Sequence, residues 1–351
     1  MRTFKFSFVA ALALLPAGCA RHDVVAVLKD KTMVAGPACE FPRLANFKLE
    51  KFDGLWTVPA RINEYNVRLA VDTGASDVFI SPMAATAMSL QENVQNIKTS
   101  TSGLGGGSDL SKPVETEHFV IGGFDIRNEM VALAATAIKY DISPPLVGLL
   151  GRSYLGAFDV ELDFPQSRMA LYGSRHCKDG FLPWTEPYIA LTIKESVGDK
   201  IFFDVKLDGK TLEAMLDTGS EVTILSSVGA RAMGLSNAMI KSGPQFTLIT
   251  TDGHNARAFV HNFHELEVGG QRWENPKLAV QTYAETDGPD SSMPGFRETL
   301  TWDRRRFGAQ DLNSPIILGL DFLDRRKIWI SFATMQVFIS SVIAPDRPSG
   351  P

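Results

Sequence analysis

Two aspartates in this 351-residue chain occupy the same unusual place, at the end of one apolar run and before another. Asp72 lies within "VRLAVDTGASDVFIS" and Asp217 lies within "LEAMLDTGSEVTILS". A buried, isolated carboxylate is costly, so each aspartate needs a partner for its charge. Two carboxyl groups at hydrogen-bond distance can share one proton and titrate as a coupled pair. One could then activate a water molecule as general base while its protonated partner polarises a carbonyl group.

The residues that follow each aspartate suit such a pair. Gly74 and Gly219 allow a tight turn that directs backbone amides at each carboxylate. Thr73 and Thr218 carry hydroxyl groups that can bond across an axis between the two loops. Rigid loops of this kind would keep the two acids close in spite of their repulsion.

The two aspartates are not expected to be equivalent, because Ser220 follows one triplet where Ala75 follows the other. The Ser220 hydroxyl is predicted to donate a hydrogen bond to Asp217. Hydrogen bonding to the ionised form of an acid lowers its pKa. The shared proton is therefore predicted to favour Asp72.

The two aspartate segments belong to a longer internal repeat. Residues 81–90 match 226–235 at the same offset of 145 residues that separates the aspartates. A Gly-Gly hairpin signal follows in each half, and then an apolar-apolar-Gly element, "LLG" at 149–151 and "ILG" at 317–319. Short alternating runs between many turn residues predict a mainly β fold. The duplication predicts two mainly β domains related by a pseudo-twofold axis.

The repeat also predicts how the chain is divided. The expected segments are a signal peptide at 1–19, an N-terminal segment at 20–51, a first domain at 52–175, a linker at 176–200, a second domain at 201–341 and a disordered tail at 342–351. The second domain carries extra residues near 284–310 that are rich in charge and turn residues. They are interpreted as a surface insertion, with a substrate-facing loop as the alternative.

This arrangement resembles the aspartic peptidases of the pepsin and retropepsin clan. The resemblance covers Phe52 to Tyr172 and Ile201 to Ile339, and each half is similar to a retropepsin-like domain, which normally works as a homodimer. It implies that Asp72 and Asp217 are the catalytic dyad of an aspartic endopeptidase that hydrolyses a peptide or protein substrate without a cofactor. It further implies that each half is an acid-protease β-barrel domain, with a threonine grip across the axis and apolar-apolar-Gly elements beside the active-site loops. One chain would supply both acids and act as a monomer.

In such enzymes a glycine-bearing hairpin beyond each acid closes over the substrate. The segments "TSGLGGGSD" and "TTDGHNA" fit that description, although neither contains the flap tyrosine of pepsin-like enzymes. The predicted flap and substrate-binding residues are Gly103, Gly105, Gly106, Gly107, Asp252 and Gly253.

The N-terminus has the features of a secretory signal peptide: basic residues, an apolar run and then small residues. Its end, "LPAGC", resembles the lipobox of bacterial lipoproteins, with Cys19 as the lipid-bearing residue. Pro16 departs from that pattern, so simple cleavage after Ala20 remains open. The protein is therefore predicted to be exported, either to the periplasm or as a membrane-anchored lipoprotein. The remaining cysteines, Cys39 and Cys177, form a disulfide in one interpretation and are buried thiols in the other.

Other classes of function find little support. The net charge of -5 and the lack of a basic block argue against a nucleic-acid partner. The histidines of "HNFHE" at 261–265 would point to opposite faces of a strand. They are therefore interpreted as exposed side chains and not as zinc ligands, and no metal is expected. A non-catalytic module that binds a peptide or protein in the same cleft is the main rival. In a second rival, each half pairs with its counterpart in another chain.

Overall fold

The computed structural model of the protein describes most of both predicted domains. The described residues are 32–35, 40–93, 99–102, 108–134, 141–173, 182, 184–194, 200–249, 255–283 and 314–342. The predicted signal peptide, Cys19, Cys39, Cys177, the predicted flap residues (Gly103, Gly105, Gly106, Gly107, Asp252, Gly253) and the insertion at 284–310 lie outside the described residues.

The fold is mainly β, as the short alternating runs predict. The first half contains β1 (Thr32–Ala35), β2 (Glu40–Lys48), β3 (Glu50–Phe52), β4 (Leu55–Ile62), β5 (Tyr65–Val71), β6 (Phe79–Ile80), β7 (Gln91–Glu92), β8 (Thr99–Ser102), β9 (Ser108–Ser111), β10 (Val114–Ile121), β11 (Phe124–Leu133), β12 (Leu146–Leu150), β13 (Phe158–Asp163) and β14 (Arg168–Gly173). The second half contains β15 (Tyr188–Thr192), β16 (Phe202–Leu207), β17 (Lys210–Leu216), β18 (Ile224–Leu225), β19 (Gln245–Ile249), β20 (Asn255–Asn262), β21 (Glu265–Val268), β22 (Gln271–Glu274), β23 (Lys277–Gln281), β24 (Ile316–Leu318), β25 (Lys327–Ser331) and β26 (Gln336–Ser340).

The described helices are short, and four of the five recur as matched pairs in the repeat. They are α1 (Pro82–Ala87), α2 (Arg152–Leu155), α3 (Ser227–Met233), α4 (Asn237–Lys241) and α5 (Leu320–Leu323). The serines before α1 and α3 are repeat partners and cap these helices, since Ser81 Oγ accepts from Ala84 N at 2.9 Å and Ser226 Oγ from Gly229 N at 3.2 Å. Among the described residues no helix is both long and apolar enough to cross a membrane.

The Gly-Gly pairs form tight hairpins, one in each half. Gly122 and Gly123 join β10 to β11, and Gly269 and Gly270 join β21 to β22. All four have positive φ, from +56° to +90°. Two consecutive residues of this kind form the turn whose twist matches a two-residue hairpin, and glycine adopts it without strain.

Each half is built around the strand that carries its aspartate triplet. β5 and β17 both end directly before an aspartate, and each pairs in parallel with the strand of the apolar-apolar-Gly element, β12 or β24. That strand in turn pairs antiparallel with β6 or β18, which follows the triplet. In the first half β4 also pairs with β10, which closes a six-stranded barrel. The second sheet forms a half-barrel, so the predicted pair of acid-protease β domains is confirmed.

A seven-stranded sheet joins the two halves, and we refer to it as the bridging sheet. Its order is β1-β2-β14-β13-β25-β26-β15. At its centre Val160 pairs with Ile330 and Leu162 with Ile328. In the repeat Val160 corresponds to Ile328 and Leu162 to Ile330, so the register is self-complementary, as a twofold axis requires.

The bridging sheet also gives structure to parts of two segments that the sequence analysis left as connections. β2 lies in the N-terminal segment predicted for 20–51, and β15 lies in the linker predicted for 176–200. β2 pairs with β14 and β15 pairs with β26, so the two strands occupy related places on opposite sides of the axis.

Candidate active site

The two Asp-Thr-Gly loops are held from behind by the apolar-apolar-Gly elements. Asp72 N donates to Leu150 O at 3.1 Å, and Asp217 N donates to Leu318 O, also at 3.1 Å. The residues after these elements close the loops from the other side. Arg152 N donates to Ala75 O at 2.9 Å, and Leu320 N donates to Ser220 O at 2.8 Å. Equivalent backbone bonds therefore fix both aspartates.

The glycines of these elements fit tightly against the loops. A Cβ atom added to Gly151 would lie 2.0 Å from Asp77 O, and one added to Gly319 would lie 2.5 Å from Val222 O. A side chain at either position would displace the loop backbone. This close approach explains why a glycine ends each apolar element.

The two threonines form a reciprocal set of hydrogen bonds across the axis. Thr73 N donates to Thr218 Oγ1 at 3.1 Å, and Thr218 N donates to Thr73 Oγ1 at 3.0 Å. Each hydroxyl then donates to the strand of the other half, Thr73 to Leu216 O at 2.9 Å and Thr218 to Val71 O at 2.7 Å. Both side chains are buried, so the four bonds fix the position of each loop against the other.

The two carboxyl groups lie side by side at the axis, close enough for each to shift the pKa of the other. Each triplet glycine lies against the carboxyl group of the opposite half. A Cβ atom added to Gly74 would be 2.5 Å from Asp217 Oδ1, and one added to Gly219 would be 2.3 Å from Asp72 Cγ. Asp72 is buried, whereas Asp217 keeps partial solvent exposure. The structure thus brings together the two acids, both threonines and both glycines named from the sequence.

The pKa values of the two acids are shifted by different sets of neighbouring groups. Burial raises the pKa of Asp72, and the charge of Lys200, the bond with Asp217 and backbone donors oppose that rise. Burial also raises the pKa of Asp217, and the negative charge of Asp72 raises it further. The pair therefore shares one proton over a range of pH, and the additional backbone donor to Asp72 favours its residence on Asp217.

This assignment corrects the prediction that the proton favours Asp72. The Ser220 hydroxyl donates to Val222 O at 2.8 Å and so does not donate to Asp217. Asp72 Oδ1 instead accepts two backbone amides, from Gly74 at 2.8 Å and Ala75 at 2.9 Å. Asp217 Oδ1 accepts one, from Gly219 at 2.8 Å. The additional backbone donor stabilises the ionised form of Asp72 more than that of Asp217.

Lys200 is a residue of this site that the sequence analysis missed. It is buried, and its ammonium group donates to the carbonyl oxygen of Gly74. Its charge lowers the pKa of both aspartates. The repeat itself contained the signal, because the offset of 145 residues aligns Lys200 with the apolar Leu55.

Three further acids lie on or beside the loops, and each has a defined neighbour. Ser153 Oγ donates to Asp77 Oδ1 at 2.6 Å, Thr223 Oγ1 donates to Asp321 Oδ1 at 2.6 Å, and the Glu221 side chain lies against Gly54. The Asp77 contact ties the first loop to α2, and the Asp321 contact ties the second loop to α5. Each of these helices follows the apolar-apolar-Gly element of its half. These contacts support the loops rather than extend the acid pair.

The "HNFHE" segment lies away from the loops. His261 is in β20, and its ring packs edge-on against Phe263 with centroids 4.9 Å apart. Within the described ranges, no group of three or more histidine, cysteine, aspartate or glutamate residues is placed to hold a metal ion.

Comparison with known proteins gives a family match and two similar structures. The model of the aspartyl protease family matches residues 58–154 and 203–322, together more than half of the chain. The fold is similar to an aspartic proteinase from Irpex lacteus, with a TM-score of 0.45 and 12% identity over 87% of this chain and 99% of that chain. It is also similar to basic 7S globulin from soybean, with a TM-score of 0.45 and 9% identity over 85% of this chain and 95% of that chain. No curated protein matches the sequence. Each range matched by the family model contains one Asp-Thr-Gly triplet.

Proposed function

The chain belongs to the aspartyl protease family, and on that premise we propose that it is an aspartic endopeptidase whose catalytic dyad is Asp72 and Asp217. The observation that carries the proposal is the adjacent pair of carboxyl groups at the axis, fixed by the reciprocal threonine bonds. A protein that only bound peptides would gain nothing from holding two repelling acids together. A peptidase-type role follows from the family, and the dyad is our assignment.

The geometry supports a division of labour between the two acids. The ionised Asp72 accepts a proton from a water molecule, whose oxygen then attacks the carbonyl carbon of a peptide bond. The protonated Asp217 donates a hydrogen bond to the carbonyl oxygen and transfers its proton as the tetrahedral intermediate forms. The proton on Asp72 then passes to the leaving nitrogen as the carbon–nitrogen bond breaks. Return of the remaining hydroxyl proton to Asp217 restores the starting state, with no covalent intermediate.

Incubation of the full chain and its Asp72→Asn and Asp217→Asn variants with a diverse peptide library tests this assignment. Wild type should cleave, and each variant should lose about 10²–10⁴-fold in kcat/KM because proton transfer is removed. Asp204→Asn is the matched control, since Asp204 is exposed on β16 and pairs with Lys194 at 2.6 Å. Equal cleavage by both dyad variants and wild type would exclude the dyad, and a wild type that binds peptides without cleaving them would establish the binding module instead.

We further propose that the protein acts in the cell envelope, with Cys19 as the site of a lipid anchor. The support is the N-terminal sequence alone. Mass analysis of the mature N-terminus in a bacterial host should show a lipidated Cys19, and Cys19→Ala should move the protein from the membrane to the soluble fraction. An unmodified N-terminus after Ala20 would contradict the anchor and leave export intact.

A disulfide between Cys39 and Cys177 stays part of the proposal. It is supported by the described neighbours of these residues, because β2 begins at Glu40, β14 ends at Gly173, and the two strands pair side by side. Alkylation before and after reduction, read by mass, should reveal two cysteines that react only after reduction. Reaction without reduction would show free thiols.

A further inference from the structure

We propose that Lys200 is a positioning residue of the active site, which acts on the acid pair through its charge and through its bond to Gly74. It thereby sets the pH range in which the enzyme works. The inference rests on the proposed function, since it concerns the same two aspartates.

The position of Lys200 links it to both acids through one residue. Its ammonium group donates to Gly74 O, and Gly74 N donates to Asp72 Oδ1 at 2.8 Å. The same glycine packs against Asp217, because a Cβ atom added to it would lie 2.5 Å from Asp217 Oδ1. A single residue, Gly74, thus separates the ammonium group from the acid pair. Lys200 is only 9% exposed, so water screens its charge poorly.

The other half of the molecule has no charge at the equivalent place. Leu55 is the repeat partner of Lys200, and it packs against a cluster that contains Ala70, Ala75 and Leu149. The acid pair therefore receives a positive charge from the second half and an apolar side chain from the first. A pair that shares one proton has a net charge of about −1, which one buried ammonium group balances.

Three acids near the loops act in the opposite direction. Asp77, Glu221 and Asp321 are negative, so any influence they have on the dyad disfavours its ionisation. Burial does the same for both Asp72 and Asp217. Lys200 opposes all of these effects, and its charge lowers the pKa of both members of the pair.

The sign of the effect on activity follows from the mechanism. The acidic limb of the pH profile reports loss of the ionised carboxylate, and the basic limb reports loss of the shared proton. Removal of the positive charge should raise both apparent pKa values. The whole profile should then move to higher pH, rather than fall at every pH.

Three substitutions separate the charge of Lys200 from its hydrogen bond. Lys200→Gln keeps a donor for Gly74 O and removes the charge, Lys200→Met removes both, and Lys200→Arg keeps both. In profiles of kcat/KM against pH, the Gln and Met variants should shift both limbs upward by about one unit or more, while the Arg variant stays close to wild type. Lys206→Met is the control, because Lys206 lies on the surface of β16 and pairs with Glu267 at 2.9 Å.

A purely structural role predicts a different pattern. Lys200→Met would then lose activity equally at every pH, and Lys200→Gln would recover it without a shift of either limb. That result would overturn the proposal, as would a profile of Lys200→Gln that matches wild type. The Gln and Arg variants keep a donor at Gly74 O, so the comparison remains decisive if the Met variant does not fold.

A titration that needs no catalysis separates this inference from the proposed function. Carbon-13 NMR of labelled aspartate carboxyl groups should give higher pKa values for Asp72 and Asp217 in Lys200→Gln than in wild type. An inactive wild type that shows this shift would refute the peptidase assignment and retain the role of Lys200. An active wild type without the shift would do the reverse.

Discussion

At the residue scale, Asp217 is held in a protonated state that the unfolded chain does not share. Its pKa is raised by burial and by the charge of Asp72, whereas the pKa of an ordinary aspartate is 3.8. Between that ordinary value and the raised native value, the folded protein binds more protons than the unfolded chain. The free energy of unfolding therefore falls as pH rises through this window. The acid pair is a site where stability is given up for chemistry.

Asp217→Asn should remove this loss of stability. Below the ordinary aspartate pKa the variant and wild type should unfold with similar free energy, because both side chains are neutral there. Above it the variant should be more stable, by about 1–3 kcal/mol at the high end of the window. Urea denaturation at a series of pH values measures the difference. A variant that is less stable than wild type at neutral pH would show that the carboxyl group stabilises the fold.

The threonine bonds across the axis should contribute to the stability of the folded protein. Thr218→Val keeps the shape of the side chain but leaves Thr73 N without its acceptor and Val71 O without its donor. Since both groups are buried, the expected cost is about 2–4 kcal/mol in the free energy of unfolding. Thr218→Ser is the matched control, because it keeps the hydroxyl and should recover most of the stability. Equal stability of the Val and Ser variants would show that the cross-axis bonds are not needed to hold the loops.

At the element scale, the apolar-apolar-Gly strands position the acids because their glycines touch the loop backbone. Gly151→Ala would place a Cβ atom 2.0 Å from Asp77 O, so the loop that carries Asp72 must move. We expect a loss of about 1–3 kcal/mol in stability and of about 10²-fold in kcat/KM, since misplacement by 1 Å is enough to disturb the geometry of the reaction. Gly173→Ala is the control, because its Cβ atom would lie 3.1 Å from the nearest atom, Pro42 Cγ. Similar kcat/KM values for both variants would contradict this role.

The order of the elements within each half could be predicted from the sequence, because the duplication repeats the same motifs in the same order. Two features could not. β2 and β15 lie outside the matched motifs and join the fold by pairing with β14 and β26 in the bridging sheet, which no local pattern reports. The acceptor of the Ser220 hydroxyl could not be predicted either, since the choice between Val222 O and Asp217 depends on where the loop backbone lies.

At the scale of the whole molecule, the bridging sheet does the work that association of two subunits would otherwise do. β13 and β25 pair in a self-complementary register, and β14 and β26 extend the sheet on either side. Val160, Leu162, Ile328 and Ile330 are fully buried at this centre. The two halves are thus joined by backbone hydrogen bonds and by a common apolar core as well as by the threonine bonds. A covalent connection makes their effective concentration independent of the amount of protein.

A single chain that carries the whole acid pair should keep its specific activity on dilution. A peptidase assembled from two chains dissociates as it is diluted, and its activity per mole then falls. For this protein we expect kcat/KM to stay constant from micromolar to nanomolar enzyme, and we expect the active species to sediment with the mass of one chain.

Mixing Asp72→Asn with Asp217→Asn gives the complementary measurement. Within a monomer each variant lacks one acid, so the mixture should stay inactive, whereas pairing of halves across chains would restore up to about one intact pair for each two chains. Recovery of activity on mixing, or its loss on dilution, would show that the halves pair across chains.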